Sequence, residues 1–183
     1  MQTSYLIVFW ALRGGGAGSW GVIISATIRT FPTFDAVTHE ASISLNSSTA
    51  VAQLAMLHAS HIFDWDHLHA GQYFYLTGVS PSFTWNLTTL FPNTSTVATA
   101  NASLAPFLKE AAALATSITT TVIVTSINDA VGTSDSDSAG MDDILGSRLI
   151  PADVYHGNIS AIGETYQKLL DAQTPVCDPL FLY

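Results

Sequence analysis

The chain has 183 residues, of which 48% are hydrophobic and only 10% are charged, and its formal net charge is −9. A chain of this length buries one well-packed domain, and so few charged residues predict apolar surface that meets another domain or chain. Only five Lys and Arg residues are present. This argues against a nucleic-acid partner and against a basic membrane-surface helix, because both need clustered cations.

The first zone of the chain extends to about Pro32. An apolar run, Tyr5–Leu12, leads into a glycine-rich loop. The β-branched residues of Val22–Phe31 then predict a strand. No segment reaches the roughly 20 apolar residues that a membrane-spanning helix needs, so we expect no membrane partner.

The second zone, from Phe34 to about Ile127, mixes strands and helices without a strict βαβ rhythm. Alternating or β-branched residues predict the strands, and alanine and leucine at helical spacing predict the helices. The order is strand 37–45, helix 48–61 with Ser48 or Thr49 as N-cap, strands 72–79 and 82–90, helix 96–115 interrupted or restarted at Pro106, and strand 118–127. This predicts an α+β fold, an antiparallel sheet flanked by helices.

The third zone opens with Asp129–Asp143, a Ser, Asp and Gly loop without periodicity. A helix is predicted from about Ile159 to Ala172. The Asp residues of the loop lack the third ligand position and the final glutamate of a calcium loop, so a solvated acidic loop is favoured.

The glycine loop, residues 16–21, formally satisfies the G-x-G-x-x-G pattern of a dinucleotide-binding site. That site needs a helix after the loop, because the pyrophosphate lies on the helix N-terminus. Here the residues that follow favour a strand, which argues against a Rossmann site. The alternative is a structural turn that binds no ligand, for which the glycines alone are sufficient.

The longer stretch F-W-A-L-R-G-G-G-A-G-S-W-G-V-I, residues 9–23, resembles a family signature. The family is that of vanillyl-alcohol oxidase and p-cresol methylhydroxylase-type FAD-linked oxidoreductases, in its fungal, berberine-bridge-enzyme-like branch. Two further landmarks follow in order: Pro106-Phe107 ahead of a strand, and G-S-R-L-I-P at residues 146–151, which is similar to the segment opening a late helix in fungal members.

The resemblance implies a division into three parts. Residues 1–33 are the C-terminal remnant of a PCMH-type FAD-binding domain, residues 34–172 are an incomplete substrate domain, and residues 173–183 are an atypical tail. It places residues 9–12 in a helix and four residues nearest the FAD: Gly18, Ser19, Gly21 and Val22. Glycines there let backbone amides approach the cofactor. Ala17 departs from the usual glycine and crowds that approach slightly.

The resemblance also implies an activity. The family members are FAD-linked oxidoreductases, and the leading hypothesis is an oxidase-type enzyme, or a fragment of one, that removes a hydride from a small organic metabolite or sugar and passes electrons to O₂. Most of the family's flavin site has no counterpart in this sequence, so we expect this chain alone to bind FAD weakly or not at all. The alternatives are a flavin-free derivative, acting as a small-molecule binding module or non-redox cyclase, and a non-functional truncation product.

Candidate catalytic residues are weakly indicated. Family members use a Tyr, Glu or Asp of the substrate-domain sheet as a base. Tyr73 and Tyr75 lie two apart on a predicted strand, so their side chains share one side. Packing is the common role of such tyrosines. The cluster that begins with His58 and His61 is compatible with a metal site in spacing, but it has no fixed ligand pattern, and we expect no metal.

Cys177 is the only cysteine, so no intrachain disulfide is expected. Five of the six asparagines begin an Asn-x-Ser/Thr triplet, namely Asn46, Asn86, Asn93, Asn101 and Asn158. This excess favours secretion of the parent protein, with glycans at these positions. The apolar run near the N-terminus has no basic residues before it, so we expect no signal peptide in this chain. The expected partners are a small-molecule substrate and, through exposed apolar surface, further copies of the chain.

Overall fold

The structure is a computed structural model, and it describes residues 24–25, 27–92, 96–130 and 149–172. The chain divides into two units, residues 1–32 and 33–183. The predicted strand Val22–Phe31 is wrong over its described residues, which carry no regular secondary structure. Ile24 and Ile28 in this stretch are 95% and 80% exposed. A strand persists only where a neighbouring strand takes its backbone hydrogen bonds, and among the described strands none pairs with these residues.

Four strands form one antiparallel sheet in the second unit. They are β1 (Asp35–Leu45), β2 (Gly71–Val79), β3 (Ser82–Pro92) and β4 (Ser117–Ser126), in the spatial order β2-β3-β1-β4. Each neighbouring pair is antiparallel. The strands predicted over residues 37–45, 72–79, 82–90 and 118–127 are confirmed, with ends that differ by one or two residues.

Helices connect and cover these strands. They are α1 (Ser48–His61), α2 (Val97–Ala111), α3 (Ile127–Ala130), α4 (Ala152–Gly157) and α5 (Ile159–Asp171), with a single 3₁₀ turn at Asp66–Leu68. The order β1-α1-β2-β3-α2-β4 contains two split βαβ units, each helix crossing over one central strand, which is the ferredoxin-like arrangement. The predicted α+β fold, an antiparallel sheet flanked by helices, is confirmed.

The core lies between one face of the sheet and the helices. In β1 and β3 every second side chain is buried there, including Ile43, Trp85 and Phe91, each at most 1% exposed. Helix α2 contributes Leu104 and Phe107, and α5 contributes Ile162 and Leu170. Strand side chains alternate between the two faces of a sheet, so this buried set leaves the intervening residues on the opposite face.

Two local predictions about the helices are corrected. The N-cap of α1 is Ser47, whose Oγ accepts a hydrogen bond from the Ala50 backbone N–H at 3.1 Å, and not Ser48 or Thr49. Helix α2 runs without interruption through Pro106 and ends at Ala111. The buried residues Ala100, Leu104, Phe107 and Ala111 recur on one side of α2, and packing of this stripe against the sheet stabilises the helix despite the missing proline N–H.

Candidate functional site

The sheet has a second face, which we call the open face, formed by the strand residues that point away from the helices. The pairing register places Tyr73, Thr88, Glu40 and Thr121 in one row across the four strands. The adjacent row consists of Tyr75, Asn86, Ser42 and Thr119. Directly opposed residues on neighbouring strands lie about 5 Å apart, so each row is a continuous line of side chains.

The open face carries phenol, hydroxyl, amide and carboxylate groups. A concavity of about 270 Å³ lies over it, lined by Glu40, Ala41, Ser42, Asn86, Leu87, Thr88, Thr119 and Thr121. Glu40 is exposed and lies on a central strand. It is the only carboxylate among the open-face residues of the four described strands. The face therefore offers hydrogen-bond donors, acceptors and one negative charge to a polar ligand.

Tyr73 and Tyr75 lie side by side on the open face, as their spacing predicts. Their rings meet edge to face with centroids 5.6 Å apart, and Tyr73 is 51% exposed. Their predicted catalytic role stays a prediction. Sequence reasoning missed Glu40, although the alternation of Val37–Leu45 already assigned the even-numbered residues to the unburied side.

Behind the sheet, a cavity of about 350 Å³ lies between α1, β2 and the α4–α5 segment. Its wall includes the aromatic residues Trp65, Phe74, Trp85, Tyr155 and Tyr166. Phe74 and Trp85 stack with centroids 4.0 Å apart. Burial raises the pKa of the Tyr166 hydroxyl, with a smaller contribution from Tyr155, so this phenol stays protonated and acts as a hydrogen-bond donor.

His58 is a buried imidazole in the wall of this cavity. It is 6% exposed, and the rings of Trp65, Phe74, Trp85 and Phe107 surround it at centroid distances of 5.5–5.9 Å. Its Nε2 lies 3.1 Å from Gln72 Oε1, and Gln72 Nε2 donates to Thr89 Oγ1 at 2.9 Å. Burial lowers the pKa of His58 to about 4, so the imidazole is neutral near pH 7.

The neighbouring His61 also contacts the rings of Trp65 and Phe107, but its polar partners differ from those of His58. Its Nδ1 lies 2.7 Å from Asp64 Oδ2, and its Nε2 lies 3.5 Å from Glu110 Oε1. The structure therefore directs His58 and His61 toward different partners instead of one centre. Within the described part of the chain, no group of three or more His, Cys, Asp or Glu side chains is placed to hold a metal ion.

Comparison with known proteins gives short but close matches. A flavin-dependent oxygenase of Aspergillus ustus is 60% identical over 30 residues, which cover 16% of this chain and 6% of the relative. An FAD-linked oxidoreductase of Emericella nidulans is 46% identical over 39 residues, 21% of this chain and 7% of the relative. One from Gibberella zeae is 48% identical over 42 residues, 23% of this chain and 7% of the relative.

Over these short stretches the chain is similar to fungal FAD-linked oxidoreductases. The matched stretches span only 6–7% of the length of these three relatives. No protein-family profile matches the chain. Among solved structures, a VAO-type flavoprotein of Myceliophthora thermophila C1 is 21% identical, with a TM-score of 0.43 over 65% of this chain and 21% of the other.

The FAD contacts that the resemblance implies, Gly18, Ser19, Gly21 and Val22, lie outside the described residues. Their role in binding FAD stays a prediction. The division of the chain after residues 33 and 172, into an FAD-domain remnant, a substrate domain and a tail, also stays a prediction. No helix in the described ranges has the length and apolarity to cross a membrane.

The predicted glycosylation sites are spread over the fold. Asn46, Asn101 and Asn158 are exposed, and Asn93 lies outside the described residues. Asn86 lies in the middle of β3 on the open face, beside the concavity. A glycan at Asn86 would cover the open face, so glycosylation there and binding of a ligand to this face exclude one another.

Proposed function

We propose that residues 34–172 are the substrate domain of an oxidase-type FAD-linked oxidoreductase, and that the open face is turned toward the flavin and the substrate. The observation that carries this proposal is the contrast between the two faces of the sheet. One face is sealed by helices, and the other exposes two rows of polar side chains across all four strands. The relation to fungal FAD-linked oxidoreductases supports the same assignment.

The chemistry proposed is removal of a hydride from a small organic metabolite or sugar. When bound, FAD would supply the two-electron acceptor for that hydride, with O₂ as the final acceptor, reduced to H₂O₂. Loss of hydride from an alcohol carbon requires that the hydroxyl proton leave to a base. The Glu40 carboxylate is the group on the open face suited to accept that proton. Thr88 and Thr121, paired with Glu40 across the strands, are placed to orient the substrate by hydrogen bonds.

The side chains of the open face are suited to contact the flat ring system of FAD on the side where the substrate binds. The concavity is lined by hydroxyl, amide and carboxylate groups, and Tyr73 is half-exposed at the edge strand. Such groups can hydrogen-bond a ring system or stack on it. They do not supply the backbone contacts to FAD, which the resemblance assigns to Gly18, Ser19, Gly21 and Val22. The proposal therefore includes weak binding of FAD to this chain alone.

A nuclear magnetic resonance titration of the ¹⁵N-labelled chain with FAD, up to about 1 mM, tests this assignment because that range detects even weak binding. We expect amide shifts at Thr88 and Thr121, which line the open-face concavity and not the His58 cavity, and loss of flavin absorption after desalting. Tyr73→Phe, which removes one hydroxyl, leaves the shifted set in place. Shifts confined to the His58 cavity, or none at about 1 mM, contradict the proposal.

The aromatic cavity favours a second candidate, a flavin-free derivative that binds a small molecule behind the sheet. A concave, mostly apolar space with a few polar groups is typical of small-molecule sites. Titration with indole, followed by Trp fluorescence and by amide shifts, distinguishes the two. Shifts at Ala59 and Gln72 with indole, together with no shift with FAD, would favour this candidate. An insoluble, unfolded chain would instead favour a non-functional truncation product.

A further inference from the structure

Strand β4 forms one edge of the sheet, and no described strand pairs with its outer side. Its ten residues, S-I-T-T-T-V-I-V-T-S, include no charge, no glycine and no proline. Ile123 is 45% exposed and Val124 is 56% exposed. Proteins normally protect such an edge with charge, proline or a bulge, because its free N–H and C=O groups pair readily with another strand. β4 has none of these devices.

The opposite edge, β2, differs. It contains two glycines, and Gly78 has a φ of 104°, which interrupts the extended backbone near the end of the strand. A Cβ at Gly78 would clash with the Ser82 carbonyl oxygen, so glycine is required at this position beside the turn into β3. An irregular backbone offers a poorer row of hydrogen-bonding groups. β4 is therefore the edge better suited to pair with another strand.

The sequence of β4 is complementary to itself in an antiparallel arrangement. With Thr121 of each copy on the two-fold axis, Thr120 lies opposite Val122, Ile118 opposite Val124, and Thr119 opposite Ile123. Opposed residues in an antiparallel pair point to the same side. Ile118 and Val124 both point to the helix side, and Thr119 and Ile123 to the open face. Exposed apolar side chains thus meet apolar or Thr partners, which are favourable cross-strand pairs.

Charge does not oppose this pairing, although the chain carries a net charge of −9. The nearest charge on the open face is Glu40, on the neighbouring strand β1. Two copies of Glu40 would be separated by three strand spacings, about 14 Å, which exceeds the Debye length at physiological salt. The charges of two copies therefore do not prevent their pairing at this edge.

We propose that β4 pairs with β4 of a second copy, antiparallel about Thr121, to give a dimer with one continuous eight-stranded sheet. The two-fold axis is perpendicular to the sheet, so both helix layers lie on one side and both open faces on the other. Because the contact is isologous, it closes at two copies. The dimer depends on the edge of β4 and not on flavin, so its test is independent of the proposed oxidoreductase role.

Sedimentation equilibrium of the 183-residue chain at about 100 µM tests the dimer, since this exceeds a micromolar Kd. We expect a dimer for the unmodified chain. Thr121→Lys places two like charges directly opposite one another and raises the dimer Kd at least about tenfold. Thr121→Glu does the same, and an equimolar mixture of the two variants restores a dimer. Thr77→Lys on β2 is the matched control and leaves the dimer intact.

Three results would overturn the proposal: a monomeric unmodified chain, dissociation by Thr77→Lys, or an equimolar mixture that stays monomeric. Circular dichroism establishes that each variant is folded. Thr121→Glu introduces a carboxylate beside Glu40. If that variant does not fold, a mixture of Thr119→Glu with Ile123→Lys provides the same test, because those positions face each other across the axis. Failure of that mixture to dimerise also counts against the register.

Discussion

The two faces of the sheet are built from the same strands and have opposite character. On β3, Phe83, Trp85 and Leu87 are at most 2% exposed under the helices, whereas the intervening Thr84, Asn86 and Thr88 point to the open face. Successive side chains of a strand point to opposite faces of the sheet, so adjacent positions are in different environments. The covered face is constrained by packing. The open face is free of that constraint, and its polar residues are available for chemistry.

The largest expected effect comes from truncating the covered face. Trp85→Ala removes a side chain that is 1% exposed and stacks on Phe74 at 4.0 Å. We expect the free energy of unfolding to fall by about 3–5 kcal/mol, the usual cost of deleting a large buried aromatic. Asn86→Ala, the next residue on the other face, should change it by no more than about 0.5 kcal/mol. Urea denaturation measures both changes. Equal losses of stability would contradict the proposed difference between the two faces of the sheet.

The second-largest expected effect is a pH dependence of the free energy of unfolding, which arises from His58 on the covered face. The pKa of His58 is lowered by burial to about 4, whereas in the unfolded chain it returns to about 6.5. Between these values the unfolded state binds a proton that the folded state does not. The stability of the folded chain that depends on a neutral His58 is therefore fully present above pH 6.5. It is lost as the pH falls toward 4, by up to about 3 kcal/mol.

The measurement is a set of urea unfolding curves between pH 7 and pH 4 for the unmodified chain and for His58→Gln. We expect the unmodified chain to lose more stability over this range than the variant does. Asn86→Ala serves as the control and should follow the unmodified chain. Parallel curves for the unmodified chain and His58→Gln would show that His58 is not the source.

A smaller effect is expected at the start of α1, which covers the sheet. Ser47 Oγ accepts a hydrogen bond from the Ala50 N–H at 3.1 Å. Ser47→Ala should lower the free energy of unfolding by about 1 kcal/mol, the usual value of an N-cap. Ser47→Asp retains an acceptor and should restore most of the loss. If thermal or urea denaturation finds both variants equally destabilised, a cap is not what Ser47 provides.

The smallest effect on stability is expected on the open face itself. Glu40→Gln keeps the shape of an exposed side chain and removes its charge, so the free energy of unfolding should change by less than about 0.5 kcal/mol. In a flavin-loaded form of the whole protein, the same change should lower kcat at least about a hundredfold if Glu40 accepts the substrate proton. Unchanged turnover with unchanged stability would remove Glu40 from the proposed mechanism and leave the fold assignment intact.

Much of the local structure was predictable because it depends on periodicity. The alternation of Val37–Leu45 predicted β1 and its buried side, and the bounds of α1 match those of the structure. The prediction that α2 stops or restarts at Pro106 was wrong, because burial of Leu104 and Phe107 outweighs the local cost of proline. The strand predicted over Val22–Phe31 was wrong over its described residues because β-propensity does not provide a pairing partner.

The candidate site was predictable only in part. Spacing alone placed Tyr73 and Tyr75 on one side of a strand, and the structure confirms that neighbourhood. The rows that join Tyr73 to Glu40 through Thr88 depend on the order β2-β3-β1-β4. These residues are far apart in the sequence, and no local pattern relates them. The pairing of His58 with Gln72 has the same origin, since burial decides which side chains must satisfy one another.

The sequence by itself determined the alternating faces of the strands, the α+β composition, and the resemblance to fungal FAD-linked oxidoreductases. Those features lie in residue order, in period-two and helical spacing, and in a contiguous glycine-rich stretch. Only the tertiary structure decided which strands are neighbours, that Glu40 lies at the centre of the open face, and that β4 is an edge. Strand order and register are set by long-range packing of the whole core, which distributes the necessary information over residues that are distant along the chain.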